Sequence, residues 1–391
     1  MSRVTTPPRT RRHIVMSAWV LGALALAPPI IHGAPQRPID PTLELARNLS
    51  PYRASLERGS KDLLGAMAQA HALINEGRRR SDIRPFAYAS RMLAPYASQK
   101  SHNDELALLL ADILQYQHDF AGAVDILDQV LVRDARNSNA RLMRAQIRVV
   151  QGRGQDAVPD CMSLVGREAA WIWSACAAQA LAIMGRLPEA QRLLEASIGE
   201  DPMSGARASW VAEIMAELSL QKGDQVTAES WLQRALKADP DDHVAAIDLI
   251  DLWNDSGRFA ESLNLMRDRP ASDAYLIRKA IALRTLGDPE SGAVIAELKR
   301  RFVEADELGD RAHMRERAAF ELRFGDARAA LAHAQENFRS QRELVDLRLL
   351  LQCAVVAHVK KGADDGLQWL RESHAQDQRL LPELALLDRP P

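Results

Sequence analysis

Residues that break or end helices recur along this chain of 391 residues at intervals of 30 to 38 residues. The nine recurring positions are Arg84, His118, Gly152, Gly185, Gly223, Gly257, Gly287, Gly325 and Gly362. An internal repeat with a period in this range is typical of a solenoid, in which each unit buries its apolar face against its neighbours. The repeat therefore predicts one extended domain, where a chain of this length would otherwise be expected to form several globular domains.

The segment after each turn has the pattern of a helix with one packing face. In eight of the nine units a small residue follows the turn by five positions, and an apolar residue follows it by nine. The small residues are Ala89, Ala123, Ala157, Ala190, Ala228, Ser262, Gly292 and Ala330, and the apolar ones are Leu93, Leu127, Cys161, Leu194, Leu232, Met266, Ala296 and Ala334. The ninth unit departs from both patterns, with Leu367 and Arg371. Positions four residues apart share one face of a helix, and a small side chain lets a second helix approach that face closely.

A second amphipathic stretch precedes each turn, for example residues 211–220 and 244–253. Each unit is therefore predicted to be a helix, a tight turn and a second helix. No alternating run rich in Val and Ile indicates a strand. The composition, 47% hydrophobic but only 5% aromatic, suits helices that pack through Ala and Leu.

The segment 223–242, with the sequence GDQVTAESWLQRALKADPDD, resembles the second half of a tetratricopeptide repeat (TPR). It has the Gly-Asp turn, two alanines and the closing Pro240 in register, and the segments 185–202 and 118–137 are similar. The resemblance covers roughly residues 58–375. It implies an all-α fold, a right-handed superhelical α-solenoid of about eight to nine TPR-like helix-turn-helix repeats. It also implies that the first helices line a concave groove that binds a peptide or protein partner, and it does not imply catalysis.

The sequence indicates no enzyme. It contains no Gly-x-Ser-x-Gly elbow, no phosphate-binding Gly-rich loop and no His-Glu-x-x-His pair, and its ten His residues are scattered. We therefore predict neither a cofactor nor a metal site. The formal net charge of −2, with no basic stripe interleaved with aromatic residues, argues against nucleic acid as a partner.

The N-terminus has the layout of a secretory signal peptide. Four arginines precede an apolar run over residues 14–27, two prolines follow it, and a small-residue cleavage region ends near Gly33. We predict a signal peptide over residues 1–33 and a periplasmic or secreted protein. Alternatively, residues 14–31 anchor the chain in the inner membrane, and membrane contact is expected only through such an uncleaved leader. The adjacent arginines also resemble a twin-arginine signal.

Removing residues 1–33 removes four arginines and no acidic residue, and takes the formal net charge from −2 to −6. After the leader, residues 34–57 contain four prolines and are predicted to be a spacer. The solenoid is predicted over residues 58–375 and a frayed C-terminal tail over residues 376–391. Gly77, followed by three arginines, is predicted to interrupt the first unit, either as a solvated helix end or as a docking site for an anionic partner.

The chain has three cysteines. Cys161 lies on the second helix of one unit and Cys176 on the first helix of the next, at similar distances from the loop between them. Antiparallel helices would bring them to the same height, so we predict a disulfide, the alternative being two small buried apolar residues. Cys353 lies in an apolar stretch and is predicted to be buried and inert.

Counting back from each turn carries the groove positions of TPR proteins onto this chain, as the resemblance implies. The first units give Glu105, Leu108, Asp112, Asn139, Leu142, Gln146, Ile172, Ala175 and Gln179. The central units give Trp210, Glu213, Glu217, Val244, Ile247, Asp251, Asn254 and Asp255, and the last units give Arg284, Arg315, Arg323 and Lys360. This set predicts a central groove that is acidic with an apolar floor, and a basic far end.

The predicted partner is a protein segment that carries Lys or Arg together with apolar anchors. A terminal carboxylate is disfavoured, because acids occupy the positions where TPR peptide clamps use Lys and Asn. Trp210 is the predicted anchor for the partner, unless it packs against a neighbouring helix. The charged groove residues either bind the partner or only form a solvated concave face.

Two functional hypotheses remain open from the sequence. The protein is either an exported adaptor or assembly factor that holds other envelope proteins together, or a structural or accessory subunit of an envelope enzyme or complex. In the second case it is expected to self-associate, with its groove filled by a symmetry mate or by its own spacer.

Overall fold

A computed structural model describes residues 62–80, 84–198, 203–307 and 314–388, and these residues form helices with no strand. The predicted signal peptide, the spacer over residues 34–57 and the last three residues lie outside the described residues. Within the described part of the chain, no helix is both long and apolar enough to cross a membrane.

Within the described residues, nine helix pairs follow one another, and a single short helix comes last. The first helices of the nine units are α1 Leu63–Arg80, α3 Asp104–Tyr116, α5 Ser138–Val150, α7 Ala170–Ala182, α9 Ala206–Gln221, α11 His243–Asp255, α13 Asp273–Leu286, α15 Met314–Phe324 and α17 Leu344–Val356. The second helices are α2 Arg84–Leu93, α4 Phe120–Arg133, α6 Gly154–Met162, α8 Leu187–Ile198, α10 Gln225–Ala238, α12 Phe259–Met266, α14 Glu290–Glu307, α16 Ala327–Ser340 and α18 Asp364–Ser373. The last helix is α19 Leu381–Leu387, and there are 3-10 helices at Ala94–Ser101, Lys360–Ala363 and Gln378–Leu380. The prediction of an all-α solenoid of about eight to nine TPR-like repeats is confirmed.

Two local features form most of the turns. Six of the nine predicted turn positions, His118 and the five glycines from Gly152 to Gly287, adopt a left-handed backbone with φ between 56° and 79°, a conformation that glycine tolerates best. An acidic residue then often caps the second helix, as Asp119 does by accepting a hydrogen bond of 2.8 Å from the backbone N–H of Gly122. These caps satisfy backbone donors that the first helical turn leaves without partners.

The turn of the ninth unit is not where the sequence pattern placed it. Gly362 lies inside the 3-10 helix Lys360–Ala363, and His358, with φ of 55°, provides the left-handed turn four residues earlier. Counting from His358 puts the fully buried Ala363 at the fifth position. The ninth unit therefore obeys the small-residue rule, and the mismatch at Leu367 and Arg371 came from the wrong turn residue.

Two other units also differ from the sequence prediction. Arg84 is the first residue of α2 and not a turn residue. In the seventh unit Gly292 and Ala296 are exposed, whereas Val294 and Leu298, two residues further along, are buried at 8% and 0% exposure. Here α14 begins at Glu290 and packs through larger side chains than its counterparts do.

Cys161 on α6 and Cys176 on α7 form a disulfide with 5.5 Å between their Cα atoms. Both residues are fully buried, in the core cluster that joins the third, fourth and fifth units. Cys353 is buried and free, and burial raises the pKa of its thiol to about 12, so that the thiol stays protonated at neutral pH.

The segment expected to be a frayed tail is folded as far as residue 387. The 3-10 helix Gln378–Leu380 and α19 follow α18 without a break in the description, and Leu380 and Leu387 are buried at 1% and 6% exposure. Both belong to the apolar cluster around α16 and α17. The solenoid thus ends in a single helix that covers the apolar face of its last pair.

Candidate binding surface on the concave face

The first helices of the units form the inner side of the solenoid. Each first helix from α1 to α15 contacts the first helix of the next unit, whereas the second helices mainly contact the first helices of their own and the next unit. A row of elements that touch one another is the shorter side of a curved stack. The first helices therefore line the concave face, as the TPR resemblance implies.

Polar side chains join neighbouring first helices along this face. Arg78 donates two hydrogen bonds of 2.7 Å to the Asp112 carboxylate, and Gln146 donates one of 2.9 Å to Gln179. Further along, Arg278 on α13 binds both carboxylate oxygens of Asp251 on α11, at 2.7 and 2.5 Å. These contacts fix the spacing of the units, and they use side chains that the sequence analysis assigned to a partner.

Three predictions need correction for this reason. Asp112 is buried at 8% exposure and held by Arg78, and Arg315 binds Asp346 at 2.7 Å instead of facing an open basic end. Gly77 does not interrupt the first unit, because α1 runs through it to Arg80. Arg78 is accordingly neither a solvated helix end nor a docking site, since it also donates a 2.9 Å hydrogen bond to the Tyr116 hydroxyl.

Trp210 is not an exposed anchor. Its side chain is buried at 2% exposure and packs edge-on against Trp171 of α7, with 6.1 Å between the ring centroids. The alternative of packing against a neighbouring helix is the one observed. The apolar floor is also part of the core, because Leu142, Ile172 and Ala175 are buried.

Glu213, one turn further along α9, is buried at 4% exposure. Its two carboxyl oxygens accept no hydrogen bond from the described residues. Burial, and next the charge of the neighbouring Asp242, raise the pKa of Glu213 well above its usual value. Asp242 itself accepts hydrogen bonds from Ser209 Oγ at 2.6 Å and from the backbone N–H of Ala245 at 3.0 Å. Glu213 is therefore a core side chain next to Asp242, and it is not exposed to a cation in the groove.

The carboxylates that do face the groove lie on α9 and α11. Glu217, Asp248 and Asp251, which we call the central carboxylate cluster, are half-buried. Burial, followed by repulsion from Glu217 and Asp251, raises the pKa of Asp248 to about 7, although Arg379 and Arg278 act in the opposite direction. The sequence analysis missed Asp248, even though a residue three positions before Asp251 lies on the same helical face.

The C-terminal segment of the chain contacts this cluster. Residues 341–388, which we call the terminal unit, comprise α17, α18, α19 and the two 3-10 helices between them. Arg379 donates a hydrogen bond of 2.6 Å to Glu217, and Arg348 donates one of 2.6 Å to Asp255 at the end of α11. The groove thus holds part of its own chain, an occupant that the sequence analysis did not consider.

The terminal unit also packs on the turns of the second to fifth units, His118, Gly152, Gly185 and Gly223, which we call the covered rim. Gln341 is hydrogen-bonded to His118, and the backbone N–H of Arg342 donates to the Val150 carbonyl at 2.8 Å. Trp369 Nε1 donates to the Gly152 carbonyl at 3.2 Å. The terminal unit therefore bridges four successive units of the solenoid.

Glycine is required on this rim for two reasons. Gly152 and Gly185 have φ of 71° and 73°, and a Cβ at Gly185 would overlap the carbonyl of His374. A Cβ at Gly223 would lie 3.3 Å from Gln378, whereas at Gly257 and Gly287 it would meet no described atom within 4 Å. The turns of the sixth and seventh units, which we call the open rim, therefore carry no other part of the described chain at these two glycines.

The remaining predicted groove residues are spread along the face. Glu105, Arg284, Arg323 and Lys360 are exposed, and the Arg284 guanidinium lies 5.5 Å from the centroid of the Phe324 ring. The Asn254 amide oxygen is buried without a hydrogen-bond partner among the described residues. The structure therefore brings Glu217, Asp251 and Asp255 close to the terminal unit and leaves the basic residues apart from them.

Glu76 of α1 and the loops before α11 and before α13 border a cavity of about 530 Å³, which is lined in part by Pro240, Asp241, Asp268 and Arg269. Within the described residues, no group of three or more His, Cys, Asp or Glu side chains is arranged to hold a metal ion.

Comparison with solved structures finds helical repeat proteins. The crystal structure of the APC/C hetero-tetramer Cut9-Hcn1 is 14% identical to this chain, with a TM-score of 0.47 over 78% of this chain and 59% of that chain. The crystal structure of the P58(IPK) TPR domain is 16% identical, with a TM-score of 0.24 over 83% of this chain and 96% of that chain. No protein-family model and no curated protein matches the chain. The solenoid fold is therefore established by the helix pairs of this chain and not by these similarities.

Proposed function

We propose that this protein is a non-catalytic scaffold that binds an Arg- or Lys-containing segment of a partner protein at the central carboxylate cluster. The observation that carries the proposal is the position of Arg379, which comes from a segment distant in sequence and lies against Glu217. The chain thereby displays the kind of ligand that its groove accepts: a short helical segment with an arginine that enters from outside the row of first helices.

The electrostatics of the cluster support a cationic ligand. Asp248 makes no hydrogen bond or ion pair with the described residues, and burial and its acidic neighbours raise its pKa to about 7. A cation from a partner would relieve the repulsion among Glu217, Asp248 and Asp251, and would do so in a partly desolvated site where charge interactions are stronger than in bulk water. Within the cluster, Arg278 forms a direct ion pair with Asp251 but not with Glu217 or Asp248.

Crosslinking in the native host tests this function. The photo-crosslinking amino acid replaces Asn254, which is half-buried at the end of α11. Leu252 is also next to the cluster in sequence, but it is buried in the core and is not suitable. We expect the probe to capture a partner whose crosslinked peptide contains Arg or Lys. Asp248→Lys should abolish this capture, and Glu195→Lys, a charge reversal at an exposed position on α8, should preserve it. Retention of the same crosslink by the folded Asp248→Lys variant would reject the cluster as the binding site.

We also propose that the protein acts outside the cytoplasm, because its first 33 residues have the charge and hydropathy pattern of a signal peptide. The expected mature protein begins near Ala34. N-terminal sequencing of the protein from fractionated cells distinguishes this outcome from an uncleaved leader in the membrane fraction, which would support the anchored form instead.

A further inference from the structure

We propose that residues 369–380 are an internal ligand that closes the groove, and that a partner's basic segment replaces Arg379 at Glu217. This inference rests on the proposed function, since it identifies what the partner must displace. It assigns to the terminal unit a regulatory role in addition to its role as the end of the solenoid.

The covered rim is shaped for this contact. Gly185 and Gly223 lie directly against His374 and Gln378, and Trp369 reaches the Gly152 carbonyl with its indole N–H. The open rim has the same left-handed turns at Gly257 and Gly287, yet its glycines face no described atom within 4 Å. The close approach is therefore specific to the units beneath the terminal unit and is not a general property of the turns.

The terminal unit has two different interfaces. Its apolar side chains, including Leu347, Leu350 and Leu351, pack with α15 and α16, the elements that precede it in the chain. Its contacts with the rim and the groove are mainly hydrogen bonds and ion pairs, such as those of Arg348 and Arg379. Separation from the rim would therefore leave the apolar core in place and expose groups that water can solvate.

The Arg379 side chain lies between a carboxylate of its own segment and one of the groove. Its guanidinium donates to both carboxylate oxygens of Asp377, at 3.0 and 2.6 Å, as well as to Glu217. When Arg379 leaves, Glu217 and Asp248 lose the cation nearest to them and only Arg278 remains beside Asp251. An uncharged or acidic segment could not restore this balance, so the displacing segment must carry Arg or Lys.

The residues around Arg379 show which part of the segment the groove contacts. Leu380, immediately after the arginine, is buried at 1% exposure in the apolar cluster around α16 and α17, whereas Leu381 is exposed at 52%. Neither leucine packs in the groove, so the arginine is the feature that a displacing segment must reproduce.

A peptide of residues 374–388, labelled with fluorescein and added to the full-length protein, serves as the probe. The variants are Arg379→Glu, which places an acid against Glu217, and Trp369→Ala, which removes the hydrogen bond to Gly152. Arg371→Glu is the matched control, because it reverses the same charge at an exposed position on α18. Hydrogen exchange of α9 and the covered rim reports closure, and fluorescence anisotropy reports peptide binding.

We expect Arg379→Glu and Trp369→Ala to speed exchange at the covered rim but not in α13, and to bind the peptide about tenfold more tightly than the wild type, since apparent affinity scales with the fraction of molecules whose site is open. Arg371→Glu should behave like the wild type. Unchanged exchange in both test variants would overturn the closure. Faster exchange without peptide binding would overturn the internal ligand, while crosslinking from Asn254, which does not use this peptide, decides the proposed function separately.

Discussion

The covered rim and the open rim are built from the same turn, and they differ in what lies on them. At Gly185 the turn supports the terminal unit so closely that no Cβ would fit, whereas at Gly287 the same left-handed conformation faces open space. A repeat pattern specifies the turn, but a contact between units far apart in sequence decides what each turn does. In this protein the contact also divides the described turns into those that lie against the terminal unit and those whose glycines meet no other described residue.

The largest expected effect is on the free energy of unfolding. It distinguishes the two reasons for glycine at the turns, which are the left-handed backbone and the close approach of the terminal unit. Gly287→Ala should destabilise the fold by about 1–2 kcal/mol, the cost of a left-handed backbone with a Cβ. Gly185→Ala should cost about 2–5 kcal/mol, because the same strain is added to overpacking against the carbonyl of His374. Denaturant unfolding of both variants measures the difference. Equal losses would show that the terminal unit does not rest on Gly185.

The disulfide joins the third and fourth units, whose turns belong to the covered rim. Its removal should have the next largest effect on stability. Replacing Cys161 and Cys176 by Ala should destabilise the third and fourth units by about 3 kcal/mol, the entropic cost expected when a cross-link across a loop of this length is lost. Hydrogen exchange should rise in α6 and α7 and stay unchanged in α13, since repeat units are coupled mainly to their neighbours.

Cys353→Ala is the control for the disulfide, because it removes a buried sulfur without breaking a cross-link. If hydrogen exchange in the variant without the disulfide rose equally along the whole solenoid, the units of the covered rim and those of the open rim would unfold as a single cooperative structure. A rise confined to α6, α7 and the covered rim would keep the two rims distinct.

The repeat and its turns could be predicted from the sequence because they depend on neighbouring residues. Gly223, for example, ends α9 and Asp224 caps α10 by accepting a hydrogen bond of 3.0 Å from the Thr227 N–H, all within five residues. The candidate site depends on distant residues instead. The position of Arg379 against Glu217 has no local signal, and without it the groove appears open to any ligand.

Counting back from the turns also could not distinguish a residue that faces the groove from a residue that is buried between two first helices. Trp210 and Glu213 satisfy the register, but α9 is apolar on most of its surface and both residues are buried. The available signal was that apolar residues occur on all sides of Ala206–Gln221, since such a helix is normally covered on most of its surface. The turn at His358 was missed because glycine was expected and Gly362 lay nearby.

Acids near the terminal unit should also give the protein a pH dependence. Burial raises the pKa of Glu213, and it raises those of Asp248 and Glu343 to about 7. On α14 of the seventh unit, by contrast, hydrogen bonds from Arg300 and Arg301 lower the pKa of Glu297 to about 2. An acid with a raised pKa binds its proton more tightly in the folded state, so stability is highest at low pH and is lost as the pH rises through the folded pKa.

We therefore expect the melting temperature to fall between pH 5 and pH 8, since this window contains values near 7, whereas Glu297 would affect stability only in strong acid. Glu213→Gln should make the fall shallower, because Gln stays neutral at every pH. Glu105→Gln, at an exposed position, is the control and should leave the slope unchanged. A melting temperature that rises between these pH values would contradict the buried neutral acids.

The smallest expected effect concerns the ion pair that ties the terminal unit to the last turn of α11. Asp255 and Arg348 retain 40% and 28% side-chain exposure, so a double-mutant cycle with Asp255→Asn and Arg348→Gln should give a coupling of about 0–1 kcal/mol that decreases with salt. A weak coupling is what a releasable contact requires, because a partner must be able to outcompete it. A salt-independent coupling well above this range would mean that the terminal unit is fixed to α11, and the covered rim would then be a permanent interface and not one that a partner opens.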